Sequence, residues 1–224
     1  MLRRRRPDRL WDPTGYPLAV LRRAIEVEVC ALDLPSGARV LDFGCGVQPY
    51  RSVFGPEVHY IGADLPGNDE ADVQINDGVV DLPEESIDLV ISTQVLEHVG
   101  DPDAYLNECR RVLRPGGRLL LTTHGVMFYH PHPTDHWCWT TDGLTSVITR
   151  ARLGPTSLNP LLGAVPVGLW LIMMNLQAKL PPGLRHVVVS MFNLAIRWTD
   201  KVDWNTYRAD FVYVVLAERE MTDG

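Results

Sequence analysis

Short, nearly unbroken apolar runs recur at residues 38–43, 58–63, 86–92 and 118–123, each bounded by turn residues. Runs of that length without polar alternation predict strands covered on both faces, as in a parallel sheet. Between them the spacing becomes helical. Leu18, Leu21, Ile25, Val29 and Leu32 mark an amphipathic helix over residues 16–32, expected to lie on the sheet edge as a lid. Tyr105, Leu106, Cys109, Val112 and Leu113 mark a second helix. Asp101-Pro102 opens it as N-cap and first-turn proline, and Arg114-Pro115-Gly116-Gly117 stops it. A short helix over 49–54, a weak strand over 71–75, a helix over 141–151 capped by Thr140, a strand near 154–159 and a last strand over 210–217 complete the pattern.

Residues 160–206 are longer than a plain connection. They hold two apolar segments, 161–176 and 187–198, interrupted by Lys179, Pro181-Pro182, Arg185 and Arg197. The first is short of a membrane-spanning length and contains Pro166. Such an insert can cap a site, form a homodimer interface, or lie on a membrane near a lipid-linked substrate. Capping together with dimerisation is the preferred expectation. Trp204 and Tyr207, within 201–208, offer aromatic surface for a sugar ring or for packing.

At 224 residues the chain suits one domain: a tail and helix (1–34), a core (35–159), the insert (160–206) and a closing strand with its tail (207–224). A formal charge of −7 argues against a nucleic-acid surface. The basic cluster at residues 3–6 is read as a solvated tail; no apolar signal segment follows it. Cys30, Cys45, Cys109 and Cys138 form no C-x-x-C pair, which points to reduced thiols in a cytoplasmic protein.

The first strand ends in V-L-D-F-G-C-G-V-Q-P, residues 40–49. A buried strand running into a glycine turn opens a nucleotide-binding βαβ unit, because glycine lets the chain turn and lets a ligand approach the backbone. Asp64 ends the next strand some 20 residues on, where a ribose-binding acid belongs. A dinucleotide fingerprint needs a third glycine, and here that position is Pro49. Asp42-x-Gly44-x-Gly46 resembles instead the D-x-G-x-G loop of class I S-adenosylmethionine-dependent methyltransferases. The segment S-T-Q-V-L-E-H-V (92–99), the turn and strand L-R-P-G-G-R-L-L-L-T-T (113–123) and the position of the last strand match the same family, of the methyltransferase type 11-like kind.

That resemblance implies a Rossmann-like α/β fold: a seven-stranded, mostly parallel sheet with an antiparallel last strand, helices on both faces and the helical insert before the last strand. It implies S-adenosyl-L-methionine as cofactor, held by Asp42, Gly44, Cys45, Gly46, Asp64, Leu65, Asp77, Gly78, Thr93 and Gln94. Asp77 takes the adenine-reading place, with Asp81 as the other candidate. Glu97 and His98 are read as residues that fix the loop rather than as acid and base.

After the 118–123 strand, residues 124–140 place His124, His130, His132, His136 and Asp135 in one loop at the sheet's C-terminal edge. Transfer of a methyl group to a hydroxyl needs alignment and a base, and histidine suits that role near neutral pH. His130 or His132 is expected as the base, with Asp135 orienting one of them and His124 and His136 in reserve. His130, Pro131, Pro133, Asp135, Trp137, Trp139 and Thr140 also resemble a motif, H-P-x-P-x-D-x-W-R-F/W-T, found in many bacterial methyltransferases of this family, including ones for glycan modification; Cys138 stands where that motif usually has arginine. The resemblance implies O-methylation of a saccharide or glycolipid acceptor. The alternatives are a lipophilic acceptor such as a quinone or polyketide, or sugar methylation assisted by Mg²⁺ with Asp135 as a ligand. A non-catalytic, cofactor-binding scaffold is the reading from a different class.

Overall fold

The computed structural model of the chain describes residues 9–131, 133–202 and 210–221. The expectations placed on residues 3–6, His132, Trp204 and Tyr207 fall outside them. Eight strands form one sheet in the order β4-β3-β2-β1-β5-β6-β8-β7. They are β1 (Arg39–Phe43), β2 (His59–Asp64), β3 (Val73–Asn76), β4 (Val79–Val80), β5 (Ile87–Thr93), β6 (Leu113–His124), β7 (Leu153–Leu161) and β8 (Val212–Arg219). The central pairs are parallel, and β8 runs antiparallel between β6 and β7. The strand order reverses between β1 and β5, and ligands of open α/β sheets collect at the C-terminal ends of strands at such a point.

The expected seven strands become eight because β3 and β4 form an antiparallel hairpin across Asp77-Gly78. Both turn residues have positive φ, +51° and +81°, as a two-residue type I′ turn requires. The expected 49–54 helix is only a 3₁₀ turn, Arg51–Val53. A dinucleotide diphosphate would therefore find no long helix N-terminus after the glycine loop. The 118–123 strand extends back to Leu113, and the last strand lies two residues later than expected. Pro155 and Pro160 are tolerated in β7 because it is an edge strand with a bulge at Pro155.

Alternate strand residues face opposite sides, so two cores form. Leu41, Val90, Leu119 and Leu121 pack with α2 (Pro102–Val112) and α3 (Thr141–Arg150). Val40, Leu89, Ile91 and Leu120 pack with α1 (Gly15–Ala31), α4 (Ala164–Gln177) and α5 (Pro182–Thr199). Helix α1 thus covers a sheet face rather than an edge, because Leu21, Ile25 and Val29 need an apolar partner. The insert becomes an antiparallel pair, α4 and α5, beside it. Asn193 on α5 donates to the carbonyls of Leu10 (2.6 Å) and Asp12 (3.0 Å), and the Trp170 indole donates to Pro13 (2.8 Å), so the N-terminal strap is tied to the insert. Among the described residues no helix is long and apolar enough to cross a membrane.

Candidate active site

Above the tips of β1, β2 and β5 lies a cavity of about 560 Å³. The expected Gly44, Gly46, Asp64, Leu65, Asp77, Gly78 and Gln94 all line it. Gly44 has φ +84°, and a Cβ there would stand 2.5 Å from a methyl of Val95, so both backbone and space demand glycine. The amide of Gly46 donates to Asp64 Oδ2 (2.9 Å) and Asn68 donates to the same oxygen (2.6 Å), which fixes the carboxylate at the rim. Asn68 also donates to the Gly46 carbonyl (2.8 Å), a brace with no sequence signal. At the other end stands the Asp77-Gly78 turn. The amide of Val80 donates to Glu108 (2.9 Å), and Arg111, paired with Glu108, donates to the carbonyls of Leu82 (3.0 Å) and Val80 (3.1 Å). Helix α2 thereby holds the hairpin in place. Asp81, the other candidate for that end, is not among the lining residues.

Three expected cofactor residues do not line the cavity. Asp42 is wholly buried and accepts a hydrogen bond from Tyr60; burial pushes its carboxyl up to about 7. Cys45 points beneath the loop toward Gly62, and burial pushes its thiol up to about 12. Thr93 is the last residue of β5 and falls short of the opening. Of the D-x-G-x-G stretch, Phe43, Gly44 and Gly46 line the space, while Asp42 and Cys45 do not.

Beyond Gln94 the histidine-rich loop is clamped onto the segment after β5. The amides of His136 and Trp137 donate to the Glu97 carbonyl (2.9 and 3.3 Å). Thr134 donates to His98 (3.0 Å) and the Trp137 indole to Val99 (2.7 Å). This clamp gathers His98, His124 and His130, with ring centroids 4.8–6.5 Å apart. Asp135 accepts from the His130 amide (2.9 Å) and stands 3.8 Å from His130 Nδ1. His124 is buried beside Glu97 (Nε2 to Oε1, 3.3 Å) and His130 (Nε2 to Nε2, 3.4 Å). Burial and the neighbouring imidazoles lower His124 to about 3, and burial raises Glu97 to about 7. Both groups are therefore largely uncharged at the acid side of neutrality. The His124 Nδ1 has no partner among the described residues, so the tautomer protonated on Nε2, facing Glu97 and His130, leaves no buried N–H unpaired.

His98 is the imidazole of this group that lines the large cavity. Its Nδ1 sits against the Thr134 carbonyl, which places the proton of the neutral ring on Nδ1 and leaves Nε2 as an acceptor. The signal for Glu97 and His98 was present in the V-L-E-H-V segment, but their role depends on a loop some 35 residues away. His136 contributes its backbone rather than its ring to the clamp. Among the described residues no three His, Cys, Asp or Glu side chains gather as a metal site; Asp135 serves His130 instead of a Mg²⁺ cage.

On the other side of Gln94 is a second, narrower cavity of about 90 Å³. Pro17, Leu18, Met127, Trp170 and Phe211 give it apolar walls, with Thr14 and Gln94 as its polar side chains. Phe128 stacks on Trp170 (5.2 Å between centroids) and Phe211 meets Trp170 edge-on (4.8 Å).

A family model described as a methyltransferase domain matches residues 19–154. The ubiquinone biosynthesis O-methyltransferase of Xanthomonas oryzae pv. oryzae is 34% identical over 139 residues, covering 52% of this chain and 56% of that protein. The chain therefore spans about half the length of the curated relatives it matches. Among solved structures, phosphoethanolamine N-methyltransferase 2 of Haemonchus contortus, in complex with S-adenosyl-L-methionine, superposes with a TM-score of 0.56 at 17% identity, covering 94% of this chain and 54% of that one. A SAM-dependent methyltransferase of Archaeoglobus fulgidus superposes with a TM-score of 0.54 at 14% identity, covering 88% and 94%. At those identities the superpositions speak for the fold alone.

Proposed function

The chain belongs to the methyltransferase domain family, and from that premise we propose that it uses S-adenosyl-L-methionine to methylate a hydroxyl of an apolar, ring-bearing acceptor of the quinone-precursor class. The cofactor's fit rests on the glycine cradle at Gly44, the braced carboxylate of Asp64 at one end of the large cavity and the Asp77-Gly78 turn at the other. Ile75, Val79 and Tyr105 supply apolar wall between them. When bound, the cofactor supplies an electrophilic methyl group on a sulfonium, which leaves as a neutral thioether. The protein's own work is to align the acceptor oxygen, keep water out and remove one proton.

The observation that carries the acceptor assignment is the second cavity. Its aromatic and aliphatic walls meet the cofactor cavity at Gln94. A saccharide would need several polar partners to replace its water. The expected glycan acceptor gives way on that ground, and the similarity to O-methyltransferases of ubiquinone biosynthesis supports the lipophilic alternative. The acceptor proton passes to the imidazole cluster. His98 lines the neighbouring cofactor cavity, its neutral ring offering Nε2 as acceptor, and His130, beside Asp135, backs it.

Labelled S-adenosyl-L-methionine offered with hydroxylated prenylbenzenes, simple phenols and glycans tests this reading. Label is expected in the prenylated aromatic products. Transfer to glycans alone would overturn the acceptor class. Loss of binding for the cofactor itself would overturn the whole assignment. His98→Ala and His130→Ala are each expected to lower kcat by about 10²-fold or more while the cofactor Kd stays within twofold or so.

A further inference from the structure

The insert carries a surface that neither the cofactor cavity nor the acceptor cavity uses. Along α5, Leu184, Val187, Met191, Leu194 and Trp198 recur at steps of three and four residues, and all are exposed, Met191 and Trp198 by about two-thirds. They form one stripe on the helix face opposite the buried Val189, Asn193 and Ile196. Ile172 and Leu176 are exposed on neighbouring α4. An apolar strip of this kind on a soluble domain marks a contact surface.

Its charge is segregated from that of the rest of the molecule. No Asp or Glu occurs between Asp142 and Asp200, although the chain holds 28 acids and a net charge of −7. Within residues 160–199 the formal charges are Lys179, Arg185 and Arg197, all positive. Lys179 and Arg185 are exposed on either side of the turn between the two helices. The acids that do touch the hairpin's surroundings are engaged: Asp12 accepts from Thr14 (2.9 Å), and Asp200 accepts from Tyr16 (2.8 Å). Trp11, half exposed, rides on the strap that Asn193 ties to α5.

We propose that the α4–α5 hairpin is a docking face for an anionic phospholipid surface, with the helices lying in the plane of the interface. An exposed apolar stripe flanked by cations and an exposed tryptophan is what that environment selects. A two-fold dimer through this face fits worse. It would set Lys179 and Arg185 of each copy against a face that holds no carboxylate. Trp170 on α4 links the two ends of the molecule, since its outer neighbours meet the interface while it walls the acceptor cavity. Docking on a vesicle needs neither acceptor nor cofactor, so it is measured independently of methyl transfer.

Co-sedimentation of the full chain with phosphatidylglycerol–phosphatidylcholine vesicles, beside pure phosphatidylcholine, tests it. The chain is expected in the pellet with the anionic vesicles at low salt and to be released as salt rises. The double variant Met191→Glu/Leu194→Glu is expected to partition at least roughly tenfold less. Lys179→Gln/Arg185→Gln, which leaves the apolar stripe untouched, is expected to abolish the preference for anionic vesicles while the circular-dichroism spectrum stays that of the parent. A chain that remains in the supernatant with anionic vesicles at low salt overturns the proposal. So does a dimer in gel filtration that the Met191→Glu/Leu194→Glu variant converts to monomer.

Discussion

Gly44 shows how one missing side chain makes room for a ligand. Its φ of +84° is costly for any residue with a Cβ, and the added methyl would collide with Val95. Gly44→Ala is expected to weaken cofactor binding by at least about tenfold in calorimetric titration, with secondary structure retained. Glu97 offers a pH-dependent counterpart. Its folded-state carboxyl is raised from 4.5 to about 7, so the folded protein holds a proton that the unfolded chain has released. Stability from this group is therefore full below about 4.5 and is lost as pH climbs through 7. His124, lowered from 6.5 to about 3, acts in the opposite sense and costs stability as pH falls below 6.5. Glu97→Gln removes only the first effect. Its melting temperature relative to the parent is expected to be higher at pH 8 than at pH 5; Asp42, raised in the same direction, is common to both proteins and cancels in that difference. Equal differences at both pH values would refute the buried, proton-holding carboxyl.

At the scale of elements, two clamps position the site. The first is α2, which reaches across to the β3–β4 hairpin through Glu108 and Arg111. Arg111→Ala would remove the guanidinium's hydrogen bonds to the carbonyls of Val80 and Leu82 and its ion pair with Glu108. The cofactor KM is expected to rise several-fold while kcat at saturation changes little, because the hairpin lines the end of the cavity proposed for the adenine, away from the imidazole cluster. The second clamp is the histidine loop on the 95–99 segment, which runs into the Thr140 cap of α3, where the hydroxyl accepts from Gly143 (3.2 Å). Thr140→Ala is expected to lower unfolding free energy by about 1 kcal/mol in urea titration. Much of this was legible in the chain. The helices α1, α2 and α3 follow from apolar spacing and caps, and the buried runs fix β1, β2, β5 and β6. The turn of the hairpin is legible there too, as Asp77-Gly78 between Ile75-Asn76 and Val79-Val80.

For the whole molecule, the sheet separates two jobs. One face, under α2 and α3, braces the cofactor end. The other, under α1, α4 and α5, builds the narrow cavity proposed for the acceptor. Trp170 belongs to both the core of that second face and the cavity wall, so Trp170→Ala should act on acceptor recognition. The expected outcome is a rise in acceptor KM of about tenfold or more for prenylated aromatics, with cofactor Kd unchanged. A matching loss of cofactor binding would instead show that the variant has disturbed the sheet.

The sequence by itself determined the parallel core, the glycine cradle with Asp64 beyond it, and the presence of imidazoles after β6, because those depend on local spacing, glycine conformation and short-range order along the chain. Only the tertiary structure decided which carboxylates and imidazoles act together. Asp42 turned inward to Tyr60 because β1 pairs with β2, and Glu97 met His124 because β5 and β6 end side by side, while the loop after β6 brought His130 against His98 and His124. The polarity of the narrow cavity beside Gln94 likewise came from packing: the insert's helices had to bury one apolar side against the sheet, and in doing so they walled that space with hydrocarbon.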